Sequence, residues 1–166
     1  MLLLIFQVRS RWYALEASQV VEVIPRVHLR EVPNAPPFVS GLLNYRGIII
    51  PVIDLGTFLE GKGATPYLST RIMIIQYQVQ QKSQPNTVQY LGLIAEQVTE
   101  TLERSLSDII DPTLPTQKGH YLGGMLLDDR GMIQYLGMDK LVTNLGSHAL
   151  LGLLSASDTS PGQQEV

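Results

Sequence analysis

Short apolar runs, bounded by glycine, proline or polar clusters, recur from one end of the chain to the other. Their β-branched content favours strands over helices. The pattern predicts strands over Leu2–Val8, Trp12–Leu15, Gly47–Ile53, Arg71–Gln80, Thr87–Ala95 and Gly131–Leu136. The polar stretch Gln81-Lys82-Ser83-Gln84-Pro85-Asn86 separates the fourth run from the fifth and reads as the loop of a β-hairpin. Gly56–Pro66, with three glycines and a terminal proline, is expected to be a surface loop. Helix is expected near the end, where Met138, Leu141, Val142 and Leu145 follow the three-and-four spacing of one apolar face. Gly146 would cap that helix, and Ser147 would start a second short one through Leu154. Ser155–Val166 carries no large apolar residue before its terminal valine, too little burial to offset the entropy of ordering, so it is expected to be a flexible tail.

Two weak echoes run through this pattern. Ala17-Ser18-Gln19-Val20-Val21-Glu22-Val23-Ile24 resembles Ala95-Glu96-Gln97-Val98-Thr99-Glu100-Thr101-Leu102, 78 residues later, with four identical positions. Leu42-Leu43-Asn44-Tyr45-Arg46-Gly47-Ile48-Ile49 returns 84 residues later as Leu126-Leu127-Asp128-Asp129-Arg130-Gly131-Met132-Ile133. Two echoes in the same order suggest two similar half-domains; chance likeness between amphipathic strand-turn segments is the other explanation.

Composition narrows the function. A chain of 166 residues can bury a real core, and with no cysteine it has neither disulfides, thiolate metal sites nor cysteine nucleophiles. A net charge of −3 provides no general field for gripping a polyanion, which excludes nucleic acid as the expected partner. The 16% charged fraction is low against the usual ~25% and hints at apolar surface shared with other proteins. Leu2-Leu3-Leu4-Ile5-Phe6 is interrupted by Gln7 and lacks a preceding basic segment, so it reads as a buried strand rather than a signal peptide. No other apolar run approaches the ~20 residues of a membrane span, so direct membrane insertion is not expected.

Candidate chemistry is sparse. His28, His120 and His148 offer no local ligand pair, so ordinary surface or partly buried histidines account for them better than a metal site. Asp128-Asp129, followed by Arg130-Gly131, reads as a turn between strands rather than a catalytic pair. Gly61-Lys62-Gly63-Ala64-Thr65 lacks the glycine spacing and lysine-serine/threonine ending of a phosphate loop. No serine sits in a nucleophile-elbow pattern. No catalytic, metal or cofactor residues are therefore assigned, and a binding protein is expected rather than an enzyme.

The most distinctive segment runs from Pro36 to Leu55. Asn44 and Arg46 just before Gly47 read as a tight reversal, followed by a nearly unbroken apolar strand through Ile53. Pro51 cannot donate to a ladder and should lie at an edge or bulge. Phe38-Val39-Ser40-Gly41, then Asn44-Tyr45-Arg46-Gly47, then the proline-containing strand ending in Asp54-Leu55 resemble, in order and spacing, the CheW-like family of chemotaxis coupling proteins. Tyr13–Glu16 with Val20–Val23, Tyr90–Val98, and Tyr121–Val142 extend the resemblance over about residues 1 to 145. Glu96 stands where the family commonly has aspartate, and Tyr45 where it commonly has leucine.

The resemblance implies a mainly all-β fold of two intertwined five-stranded β-barrels with short helices. It places a single domain over 1–154, followed by the tail 155–166. It implies a non-catalytic cytoplasmic adaptor, held at the inner membrane face by its partners. Those partners are the cytoplasmic tips of transmembrane chemoreceptors, the regulatory domain of a histidine autokinase, and other CheW-like domains in an array. Flagellar, pilus and other chemosensory outputs are all compatible with it. It carries Gly41, Asn44, Arg46, Gly47, Pro51 and Asp54 over as the structural motif, and Val20, Glu22, Arg46, Val98 and Thr101 as receptor-facing positions. Core packing is an equal reading for Val20 and Val98. Arg46 could hold its turn or meet a receptor carboxylate. A small-ligand-binding β-barrel is the alternative from another functional class.

Overall fold

A computed structural model describes residues 1–79, 87–111 and 122–147. In chain order the elements are β1 (Leu2–Val8), β2 (Arg11–Glu16), β3 (Val20–Pro25), β4 (Val39–Tyr45), β5 (Ile48–Asp54) and α1 (Leu55–Glu60). They continue with β6 (Arg71–Val79), β7 (Thr87–Ala95), β8 (Gln97–Glu103), β9 (Leu122–Asp128), β10 (Gly131–Leu136) and α2 (Met138–Ser147). The strands form two five-stranded sheets, sheet I in the order β8-β1-β2-β10-β9 and sheet II in the order β3-β6-β7-β5-β4.

This topology is the internal repeat written in hydrogen bonds. β1 to β5 correspond to β6 to β10, and each half contributes two strands to one sheet and three to the other. In sheet I the pairings are β1 with β8, β1 with β2 and β9 with β10 antiparallel, and β2 with β10 parallel. Sheet II repeats them strand for strand, β6 with β3, β6 with β7 and β4 with β5 antiparallel, and β7 with β5 parallel. The halves are thus interlocked, and the fold is the mainly β, two-part architecture expected from the sequence.

Apolar runs on β1, β6 and β7 follow from burial on both faces. Leu3 and Ile5 point into a cluster inside sheet I with Ala14, Leu126 and Ile133. Phe6 and Val8 join the central core, where Leu15, Ile53, Met73, Ile75, Leu91 and Leu93 of the two sheets meet. Ile72 and Ile74 fill sheet II with Leu43, Ile50, Val52 and Ile94. Gly92 sits in that interior because a Cβ there would lie 2.9 Å from Val52 Cγ2.

Three local expectations need correction. The segment from Gly56 is not all loop: α1 begins at Leu55, because Asp54 caps it, its Oδ1 accepting from Gly56 N at 2.8 Å and Thr57 N at 3.3 Å. Pro51 is on neither an edge strand nor a bulge, since β5 lies between β4 and β7. The parallel ladder to β7 starts only at Val52, so Pro51 stands just before it and its missing donor interrupts nothing there. Gly146 lies inside α2 rather than beyond it, and Met138, Leu141 and Leu145 seat the helix on the central core. The strands β3, β4, β8 and β9 were not expected as such. The hairpin loop 81–86, the helix 147–154 beyond its first residue, and the tail 155–166 fall outside the described residues.

Candidate functional site

The sequence motif around Gly47 builds one end of sheet II. Arg46 and Gly47 form the two-residue turn between β4 and β5, with φ of 50° and 86°. This left-handed pair matches the strand twist, and Asn44 Oδ1 accepts from Gly47 N at 2.9 Å to hold it. Gly41 lies beside a register shift in β4 with φ of 149°, and a Cβ there would come 2.6 Å from the Arg30 carbonyl oxygen. Arg30 and Leu42 pair through the backbone at that point, N to O at 3.0 and 2.8 Å. Asp54 closes the segment, accepting also from Ala64 N at 3.0 Å.

From this turn Arg46 reaches Glu22 on β3, the strand at the opposite edge of the same sheet, with Nη2 to Oε2 at 3.2 Å. The Tyr45 hydroxyl donates to the same Oε2, and the Arg46 guanidinium lies 5.3 Å from the Tyr45 ring centre. The hydrogen bond to Glu22, and secondarily desolvation, raise the Tyr45 phenol above its ordinary pKa. The other half repeats the device: Arg130, in the turn between β9 and β10, pairs with Glu100 on β8 and with Asp128, and lies 5.3 Å from the Trp12 ring centre. Asp128 Oδ1 accepts from Arg130 N at 2.7 Å, the turn role expected of the acidic pair.

The receptor-facing positions expected from the sequence divide between the sheets. Glu22 and Arg46 touch each other. Val20 and Val98 are partly buried and pack against the same central core from different sheets. Thr101 is exposed on β8, opposite Leu4. Sequence reasoning missed Tyr45, Glu100, Arg130 and Trp12 as partners, although the first echo repeats a glutamate (Glu22, Glu100) and the second an arginine (Arg46, Arg130).

Among the described residues no group of three histidine, cysteine, aspartate or glutamate side chains could hold a metal ion, and no helix is long and apolar enough to cross a membrane. His28 is exposed, and His120 and His148 lie outside the described residues. The interiors of both sheets are filled by packed side chains. An open groove of about 810 Å³ lies instead outside them, beside Ser18, Gln19, Tyr77, Met138 and Val142.

The model of the CheW-like domain matches residues 2–145. The chain belongs to the CheW-like family. Its CheW-like sequence is 27% identical over 150 residues to the probable chemotaxis protein CheW of Rhizobium etli, covering 89% of this chain and 90% of that one. It is 25% identical over 146 residues to the chemotaxis protein CheW of Klebsiella aerogenes, covering 85% and 81%. The CheW-like fold is also similar to the crystal structure of the scaffolding protein TtCheW from Thermoanaerobacter tengcongensis. The TM-score is 0.69 at 27% identity, over 82% of this chain and 83% of that chain.

Proposed function

We propose that this CheW-like chain is a non-catalytic adaptor that couples transmembrane chemoreceptors to a histidine autokinase in a chemosensory complex. The observation that carries this reading is the family match across residues 2–145, joined to relatives named as chemotaxis proteins and to a structural neighbour titled a scaffolding protein. The filled sheet interiors favour it over a small-ligand-binding barrel, which would need a hollow there. In this reading the chain works in the cytoplasm and reaches the inner membrane face through receptors. Its partners are the receptor tip, the kinase regulatory domain and further CheW-like domains. Val20, Glu22, Arg46, Val98 and Thr101 are the receptor-facing positions. Gly41, Asn44, Gly47, Pro51 and Asp54 shape the segment that presents Arg46. The domain spans 1–154, and the tail 155–166 is dispensable for partner binding.

Reconstitution tests the proposal. The purified chain is mixed with a receptor cytoplasmic fragment and a kinase from the same genome, and co-sedimentation and kinase autophosphorylation are followed. Binding to both, with receptor-dependent change in kinase activity only when the chain is present, is the expected result. Failure to bind either partner, or a small molecule retained through purification without any protein partner, would overturn it.

A further inference from the structure

The open groove beside α2 has a partly apolar wall. Val88, 47% exposed, lines it with Tyr77, Met138 and Val142, and Gln76 and Gln78 add polar groups. Tyr77 is only 6% exposed, and its hydroxyl has no hydrogen-bond partner among the described residues. A buried hydroxyl without a partner is costly, so folded chains bring one to it. The groove is therefore short of two things, apolar side chains to cover Val88 and Val142 and an acceptor for a phenol.

The first two turns of α2 form one wall of the groove, and the helix ends at Ser147. The next seven residues, outside the described ones, read His148-Ala149-Leu150-Leu151-Gly152-Leu153-Leu154. Four leucines so close together need apolar surface to cover them. At 1.5 Å per helical residue, Val142 lies about 8 Å and Met138 about 14 Å back along α2 from Ser147. Seven residues span about 10 Å as helix and up to about 25 Å extended, so a chain that reverses after Ser147 carries its leucines to the groove. The other segments outside the described residues are poorer occupants. Residues 80–86 include no large apolar side chain, and 112–121 include two, Leu114 and Tyr121.

We propose that residues 148–154 fold back along α2 and fill this groove of their own chain. Their leucines cover Val88 and Val142, and a carbonyl of the segment accepts from the Tyr77 hydroxyl. The inference does not depend on which partners the chain binds. It makes the groove a site that an outside segment enters only by displacing the chain's own.

Thiol chemistry tests it on the full chain, which has no cysteine of its own. Alkylation of Val88→Cys is compared with that of Ile49→Cys, a position 51% exposed on β5 and not part of the groove. The thiol at 88 is expected to react about tenfold more slowly, because a covered thiol reacts only while the segment is lifted. Leu150→Asp with Leu154→Asp should bring the rate at 88 up to that at 49 and leave the rate at 49 unchanged. Equal rates at both positions without the aspartates would overturn the proposal. A slow rate at 88 that the aspartates do not change would overturn it too, by giving the groove another occupant.

Should the aspartate variant unfold, seen as faster reaction at both positions, cross-linking decides with the leucine segment otherwise intact. Val88→Cys is paired in turn with Leu150→Cys, Leu151→Cys, Leu153→Cys and Leu154→Cys, and with Ser160→Cys as the control. Mild oxidation is expected to give an intramolecular disulfide from at least one leucine position and none from the control. No disulfide, equal yields from leucine and control positions, or a cross-linked dimer that puts a second copy's segment in the groove would overturn the proposal.

Discussion

Val20 and Val98 occupy equivalent places in the two halves: Val20 lies opposite Ile75 on β6, Val98 lies opposite Phe6 on β1, and a register shift follows each. Beyond the shift Glu22 meets Ile74 and Glu100 meets Ile5, so the 78-residue echo holds through a matched bulge. The bulge turns the valine toward the central core and leaves the glutamate free to reach the arginine of its own sheet.

This placement makes Val20 a packing residue as well as a candidate contact. Val20→Asp is expected to lower stability by about 2–4 kcal/mol, because a carboxylate would be pressed against apolar side chains. Val98→Asp should cost a similar amount. Urea unfolding of both variants is the check. Full stability with lost receptor binding would make them surface contacts only.

Arg46 gives the opposite expectation. Its pair with Glu22 is exposed, so Arg46→Ala should change stability by less than about 1 kcal/mol. If the side chain faces the receptor, as proposed, the same variant should weaken receptor association by about 1–3 kcal/mol and leave kinase affinity unchanged. One preparation serves for the melting temperature and both affinities. A joint loss of stability and of both affinities would instead assign Arg46 to holding the turn.

Two glycines of the motif should behave differently. Gly47→Ala meets no neighbour and carries only the cost of a left-handed residue, about 1 kcal/mol. Gly41→Ala adds a Cβ at 2.6 Å from the Arg30 carbonyl oxygen and 2.9 Å from Leu29 Cβ, so it should be the more damaging by about 1–3 kcal/mol. Chemical unfolding of the two variants side by side decides the order.

Alkaline pH should unfold the protein through its buried phenols. Burial, with Glu60 nearby, pushes Tyr13 up from 10.0 to about 12. The unfolded chain therefore releases this proton first, and the stabilisation present below pH 10 is lost as pH rises through about 12. Melting temperature measured from pH 8 to 12 should fall above pH 10, and less steeply in Tyr13→Phe. An identical pH dependence in that variant would remove Tyr13 as a source.

Much of the fold was legible because a strand buried on both faces must be apolar throughout. Leu2–Val8, Arg71–Val79 and Thr87–Ala95 announced themselves that way, as did the turn at Arg46-Gly47 through its asparagine and glycine. β3 and β8 did not: β3 alternates in burial but carries Val21 and Val23 on its exposed positions and Glu22 on a half-buried one, and β8 is mostly polar with several exposed residues in succession. Glycines at 56 and 61 hid α1, although a Cβ on Gly56 would lie only 2.5 Å from the Lys62 carbonyl oxygen and Gly61 ends the helix at φ of 75°.

The sequence by itself determined that the chain is mainly β and that the segment from Phe38 to Leu55 carries the family pattern, while its two echoes suggested two similar halves and left chance likeness as the other explanation. Only the tertiary structure decided which half supplies each strand's neighbour, since alternation specifies a face and not a partner. It also revealed a slip between echo and register. The sequence aligns Arg46 with Arg130, yet the β4–β5 turn comprises residues 46 and 47 and the β9–β10 turn residues 129 and 130, placing Arg130 level with Gly47. Both arginines still meet the glutamate of their own sheet, because a long flexible side chain absorbs a one-residue offset that a backbone ladder cannot.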